Sequence, residues 1–203
     1  MKRRILEGCF LVFTIIIISL IIFPLFMTHH EPRKESCMSN LMQISLGIFM
    51  YVQDYDDKLP PAIFPKETVG WANGLQPYLK STLIFQCPTE KTFPSATQKA
   101  DQPGFTDYWI NKNLTKADIN DITFPNQIIL LGDGDGTSPQ STASYAINKL
   151  PTSWLQSSDS PAKRHLGGAN YAFLDGHVKW LKPEQATQVH PSKNNKSYTF
   201  RIK

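Results

Sequence analysis

His165 and Asp175 are the first residues whose types and spacing suggest chemistry: a histidine, nine residues, then Asp175-Gly176. An imidazole and a carboxylate can orient a nucleophilic serine. The chain has no nucleophile elbow, phosphate-binding glycine loop or His-Glu-x-x-His motif to complete such a centre. His165 is therefore read as a structural hydrogen-bonding residue beside a hairpin, with Asp175 and Gly176 serving its turn. No catalytic residue is assigned, and the expectation is a protein that is not an enzyme. Asp133-Gly134-Asp135-Gly136 looks like the opening of a calcium loop, with carboxylates alternating on a tight turn. No bidentate glutamate follows at the required distance, so Asp133 and Asp135 are only weak calcium candidates, and a glycine-rich turn at a strand end is the stronger reading. No other metal or cofactor is expected. His29, His30, His165, His177 and His190 lack the close spacing of a zinc site.

The elements that must position these residues follow from pattern. Tyr171 and Phe173 alternate with Ala172 and Leu174, and Val178 and Trp180 alternate beyond Asp175-Gly176. That is a β-hairpin closed by a two-residue type I′ turn, within residues 165–181. Further strands are expected at 84–88, 108–110, 128–131 and 198–202, with a short helix or turn from Trp71 to Lys80. The stretches 92–104 and 137–163 are rich in Ser, Pro and Gln and are read as irregular. Leu41, Ile44, Ile48, Val52 and Tyr55 recur at spacings of three and four, which predicts an amphipathic helix over about 36–57. Asp54, Asp56 and Asp57 suit the helix dipole poorly and are read as its solvated end.

From Gly8 to Thr28 there is no charged residue, and Ile, Leu, Val and Phe dominate. About 20 residues at 1.5 Å each cross a ~30 Å hydrocarbon core. Lys2, Arg3 and Arg4 precede the run, so the expectation is a single-pass inner-membrane protein with a cytoplasmic N-terminus. Residues 1–28 would be the basic tip and transmembrane helix, and 29–203 one extracytoplasmic domain. Phe23-Pro24-Leu25-Phe26-Met27 offers no signal-peptidase site, so the anchor is read as uncleaved. Cys37 and Cys87 would both lie on the oxidising side and can pair there; two free buried thiols are the alternative. A bridge across about 50 residues stabilises by roughly 4 kcal/mol on the chain-entropy estimate. The net charge is +4, with dispersed basic residues, and no nucleic-acid partner is expected.

The histidine, nine-residue, Asp-Gly spacing resembles the C-terminal signature of pilin-like prepilin-processing-associated proteins with an H-x9-DG domain. Phe23-Pro24, Ser36-Cys37-Met38-Ser39-Asn40-Leu41, Trp71, Phe85-Gln86-Cys87-Pro88 and Leu130-Leu131-Gly132-Asp133-Gly134 extend the resemblance over most of the chain. It implies an α+β pilin-like fold, in which a long N-terminal helix, transmembrane then amphipathic, packs on an antiparallel sheet. It also implies a pseudopilin-like structural subunit of a type II secretion or type IV pilus-like assembly. Its partners would be other pilin-like subunits through the N-terminal helix, and the inner membrane. Glu7 aligns with the family's assembly glutamate. Lys2 and Arg3 stand where relatives carry the glycine and phenylalanine of the prepilin-peptidase site, which predicts that this chain stays uncleaved. The rival expectation is a permanently anchored extracytoplasmic binding module that is neither processed nor assembled.

Overall fold

The computed structural model describes residues 12–20, 32–64, 70–90, 99–187 and 198–201. The chain divides into two compact units, Met1–Pro32 and Arg33–Lys203. In the first, helix α1 covers residues 12–20. No helix among the described residues is long and apolar enough to cross a membrane. This overturns the expected transmembrane helix, the long pilin-like helix continuous with it, and the single-pass inner-membrane localisation. Glu7, Lys2 and Arg3 lie outside the described residues, as do residues 21–31.

The second unit is α+β. Helix α2, Pro32–Asp54, begins on a proline, whose missing N–H costs nothing at the first helical position. Its inner stripe, Cys37, Leu41, Ile44, Ile48, Tyr51 and Val52, is buried in the main core. The expected periodicity is present, except that Tyr55 falls past the helix end and is half exposed. Asp56 and Asp57 adopt left-handed φ values of 50° and 59°. The Asp57 N–H donates to the Val52 carbonyl at 3.1 Å, a closure that satisfies one of the helix's last free acceptors. Short aspartate side chains tolerate this geometry better than most.

Beyond α2 come helix α3 at Trp71–Gly74 and a 3-10 turn at Thr82–Phe85. The expected strand at 84–88 is therefore not formed. Ser81 Oγ accepts from the Leu83 N–H at 3.2 Å, capping a tight helical turn where an extended reading predicted a strand. Five strands follow: β1 Tyr108–Asn111, β2 Ile129–Asp133, β3 Ala146–Ile147, β4 Ala169–Phe173 and β5 Val178–Leu181. A short helix α4, Thr152–Gln156, lies between β3 and β4. Both β3 and α4 fall inside the stretch read as irregular. The sheet order is β3-β1-β2-β4-β5. It is mixed and not wholly antiparallel, because β3 runs parallel to β1. Near the C-terminus, Thr199 makes one parallel bridge to Ile128 in place of the expected strand.

Both faces of the sheet are covered, which is why its central strands read as apolar runs and not as clean alternation. Tyr108, Ile110, Leu131, Ala172 and Leu174 join the α2 side of the core. Trp109, Ile129, Tyr171, Phe173 and Phe200 form a second cluster. A register shift between Ile129 and Leu131 lets Leu130 and Leu131 both enter the first cluster. Gly132 leaves room for two rings: a Cβ there would lie 2.8 Å from a Trp109 ring carbon and 2.9 Å from one of Tyr171.

The 165–181 hairpin forms with β4 and β5 in register, Ala172 opposite Val178 and Ala169 opposite Leu181. Its turn differs from the two-residue expectation. The Gly176 N–H donates to the Phe173 carbonyl and the Phe173 N–H to the His177 carbonyl, each at 2.9 Å. Leu174, Asp175 and Gly176 thus make a three-residue loop. Only Gly176 takes positive φ, at 90°. This is the hairpin in which a left-handed residue closes an ordinary turn, and a type I′ turn would have needed positive φ at Asp175 too.

Candidate functional site

Four elements converge behind the sheet. Cys37 comes from the first half of α2, Cys87 from just after the Thr82–Phe85 turn, Asp133 from the last position of β2, and His165 from the segment leading into β4. Cys37 and Cys87 are joined as a disulfide with a Cα–Cα distance of 5.3 Å, inside the usual range for such bridges. The pairing expected from sequence is the one present. It ties α2 to the loop that leads toward β1.

His165 is fully buried against this bridge, with Nε2 3.7 Å from Cys87 Sγ and 3.4 Å from Asp133 Oδ2. Its position is set by the backbone. The His165 N–H donates to the Gly168 carbonyl at 2.8 Å, and the Trp180 indole N–H donates to the His165 carbonyl at 2.6 Å. Trp180 on β5 therefore holds the residue that opens the hairpin. Asp133 Oδ2 also accepts the Asn170 N–H at 2.7 Å, while the buried Oδ1 has no hydrogen-bond partner among the described residues. A second buried acid, Asp107, accepts the Cys87 N–H at 2.7 Å.

Burial dominates the electrostatics. It pushes the Asp133 carboxyl up to about 8, with the charge of Asp107 adding to the rise and the Asn170 N–H opposing it. It pushes Asp107 up to about 7 against the Cys87 N–H, with Asp135 adding to the rise. His165 is lowered to about 4, by burial first and then by the positive charges of Arg164 and Lys34. At neutral pH a protonated carboxyl thus faces a neutral imidazole, the arrangement that avoids isolating either charge from water. Arg164, itself buried, is brought down to about 10 by that burial. It pairs with Glu90 and donates to the Gly134 carbonyl at 2.6 Å.

His165 and Asp175 are not brought together. Asp175 Oδ1 accepts from the His177 N–H at 3.2 Å and lies 2.5 Å from His177 Nδ1. It orders the hairpin loop, as its turn role predicts. Asp133 and Asp135 do not share a cation loop. Asp135 Oδ1 accepts from the Thr137 N–H and hydroxyl at 3.0 and 2.6 Å, a local turn, whereas Asp133 points to His165. Among the described residues, the metal-capable group is instead Cys37, Cys87, Asp133 and His165, whose ligand atoms all lie within 4.8 Å of one another. With the sulfurs bonded to each other, neither is a thiolate. The helix-end carboxylates are engaged: Asp54 accepts from the Tyr78 hydroxyl at 2.8 Å and Asp57 from the Asn120 amide at 3.0 Å.

Sequence reasoning missed Asp133 as the partner of His165, and missed Asp107, Asn170, Arg164 and Glu90. One signal was available. Asp133 closes the run Ile128-Ile129-Leu130-Leu131-Gly132, so an acid was due to enter the interior with that strand.

No family model, curated protein or solved structure matches the chain.

Proposed function

We propose that the chain is a non-catalytic structural subunit of a pilin-like assembly, built by helix-to-helix packing between copies. The observation that supports this reading is the outer face of α2. Met42, Leu46 and Met50 recur at a spacing of four and are 48%, 58% and 49% exposed. Residues four apart share a helix face, so these three form one apolar stripe pointing away from the core. The opposite stripe already binds the helix to the sheet, and the disulfide fixes the helix at Cys37. Rigid attachment with an apolar outer edge suits a helix that packs against its own copy. Contiguous exposed apolar surface marks interaction sites more often than free surface. The resemblance of the H-x9-DG spacing and the Ser36-Cys37 helix to pilin-like proteins points the same way. No membrane anchor enters this reading.

The test is self-association of the full chain. Sedimentation should show concentration-dependent assembly, and a cysteine placed at Leu46 should cross-link to the same position on a second copy. Leu46→Glu should weaken association at least tenfold with an unchanged denaturation midpoint. A strictly monomeric parent, or assembly indifferent to Leu46→Glu, would defeat the reading and favour a binding module.

A further inference from the structure

We infer that the Cys37–Cys87 disulfide is the closed form of a buried zinc site, which opens on reduction and is completed by His165 and Asp133. This stands apart from the assembly reading and does not depend on it.

The first support is the ligand set. Two thiolates, an imidazole and a carboxylate are the residue types that hold zinc tetrahedrally. With bonds of about 2.0–2.3 Å, the ligand atoms of such a site stand roughly 3.3–3.8 Å apart. Cys87 Sγ to His165 Nε2 is 3.7 Å and His165 Nε2 to Asp133 Oδ2 is 3.4 Å, so two edges of the tetrahedron already have the required length. The other edges are no longer than 4.8 Å, and loss of the sulfur–sulfur bond lets the two sulfurs separate to the spacing a metal needs.

The second support is independent of spacing. Asp133 is 1% exposed, and its Oδ1 is an acceptor without a hydrogen-bond partner in the described structure. A buried oxygen left without a partner costs on the order of 1–3 kcal/mol, so this carboxyl has pairing capacity to spare while its Oδ2 faces His165. The Asn170 N–H on Oδ2 is the kind of outer contact that orients a ligating carboxylate.

The positions also come from four separate elements, each fixed by its own packing, so the site is preorganised and not collected from one flexible loop. Lys34 and Arg164 bring positive charge near His165. That field disfavours a bare cation, but it favours a zinc complex of two thiolates and a carboxylate, which is anionic overall. Sequence spacing hides the set, because Cys37, Cys87, Asp133 and His165 are far apart along the chain.

The chemistry balances. A dithiol reductant supplies two electrons and two protons, splits the Sγ–Sγ bond into two thiols, and is itself oxidised to a disulfide. Zinc then replaces the protons of both thiols and any proton on the Asp133 carboxyl, releasing them to solvent. A disulfide oxidant reverses the sequence: it accepts the two electrons, and two protons from solvent, to become a dithiol, the Sγ–Sγ bond re-forms, and the zinc ion is released.

The experiment uses the full chain, oxidised or reduced with a phosphine and freed of reductant without oxygen, titrated with Co2+ and then Zn2+. The reduced protein should bind one equivalent and show the intense ligand-field bands of a tetrahedral cobalt thiolate. Zinc should bleach them, and the oxidised protein should give none. Zinc-edge X-ray absorption of the unmodified reduced protein should find two sulfur and two nitrogen or oxygen neighbours, with imidazole scattering. His165→Ala and Asp133→Asn should each weaken affinity at least tenfold. Absence of binding after reduction would overturn the inference. Equal binding by the disulfide form, or sulfur and water neighbours without imidazole, would do the same. If reduction unfolds the chain, binding that ignores His165 and Asp133 also overturns it, whereas zinc restoring the native fold supports it.

Discussion

The imidazole of His165 and the disulfide sulfur of Cys87 stand 3.7 Å apart in a fully buried contact. The residue that opens the hairpin is therefore packed against the bond that clamps α2. Three elements distant in sequence are fixed relative to one another at this point, and the predictions concern how that junction holds.

Reduction of Cys37–Cys87 in metal-free buffer should lower unfolding free energy by about 4 kcal/mol, the chain-entropy value for a loop of this size. Denaturant titrations with and without reductant measure it. Peptide mapping without reductant should recover the linked pair. Quantitative alkylation of both thiols in the untreated native protein would count against the bridge.

With the disulfide closed, this cluster should make the protein less stable as pH rises toward 8. Asp133 moves from 3.8 to about 8 on folding and Asp107 from 3.8 to about 7, so each favours the folded state at low pH and loses that contribution as pH climbs through its folded value. His165 moves the other way, from 6.5 to about 4, so between those values it offsets one of the two acids. Above pH 6.5 nothing from His165 opposes them, and the fall should be steepest just below 7. Urea midpoints from pH 5 to 8.5 would reveal it, at intervals of about half a unit. Asp133→Asn should flatten the profile between 7 and 8, and a midpoint rising over that window in the parent would refute the prediction.

Two glycines should fail for different reasons. Gly176→Val places a β-branched residue at φ 90° and should cost more than ~1 kcal/mol. Gly176→Asn should cost less, because asparagine tolerates left-handed backbone. Gly132→Ala has no backbone strain to relieve; it pushes a methyl into the Trp109 and Tyr171 rings and should cost about 1–3 kcal/mol. Similar losses for Gly176→Val and Gly176→Asn would show that space beside Phe49, and not φ, limits that position.

Much of the frame was legible because it rests on periodicity. Leu41, Ile44, Ile48 and Val52 mark the buried side of α2, and the runs at 108–110, 128–131 and 169–174 become β1, β2 and β4. Failures came where short-range rules compete. Ile84-Phe85 has strand-like composition, but Ser81 caps a tight helical turn there. Asp175-Gly176 has two-residue turn chemistry, yet Leu174 joins the loop and leaves one left-handed residue. The apolar N-terminal run suggested a membrane span by composition, while no helix among the described residues is long and apolar enough to cross a membrane. The His165–Asp133 contact had no local signal at all, because it exists only once β2 and β4 lie side by side.

The way the sheet ends bears on solubility. One border is β3, only Ala146 and Ile147, and the other is β5, whose middle carries the exposed ammonium of Lys179. A foreign strand needs a long, uncharged row of free N–H and C=O groups to extend a sheet. The first border is too short to serve as that template, and docking on the second would bring a partner strand against a charge. Copies of this chain should therefore resist stacking edge to edge into fibrils.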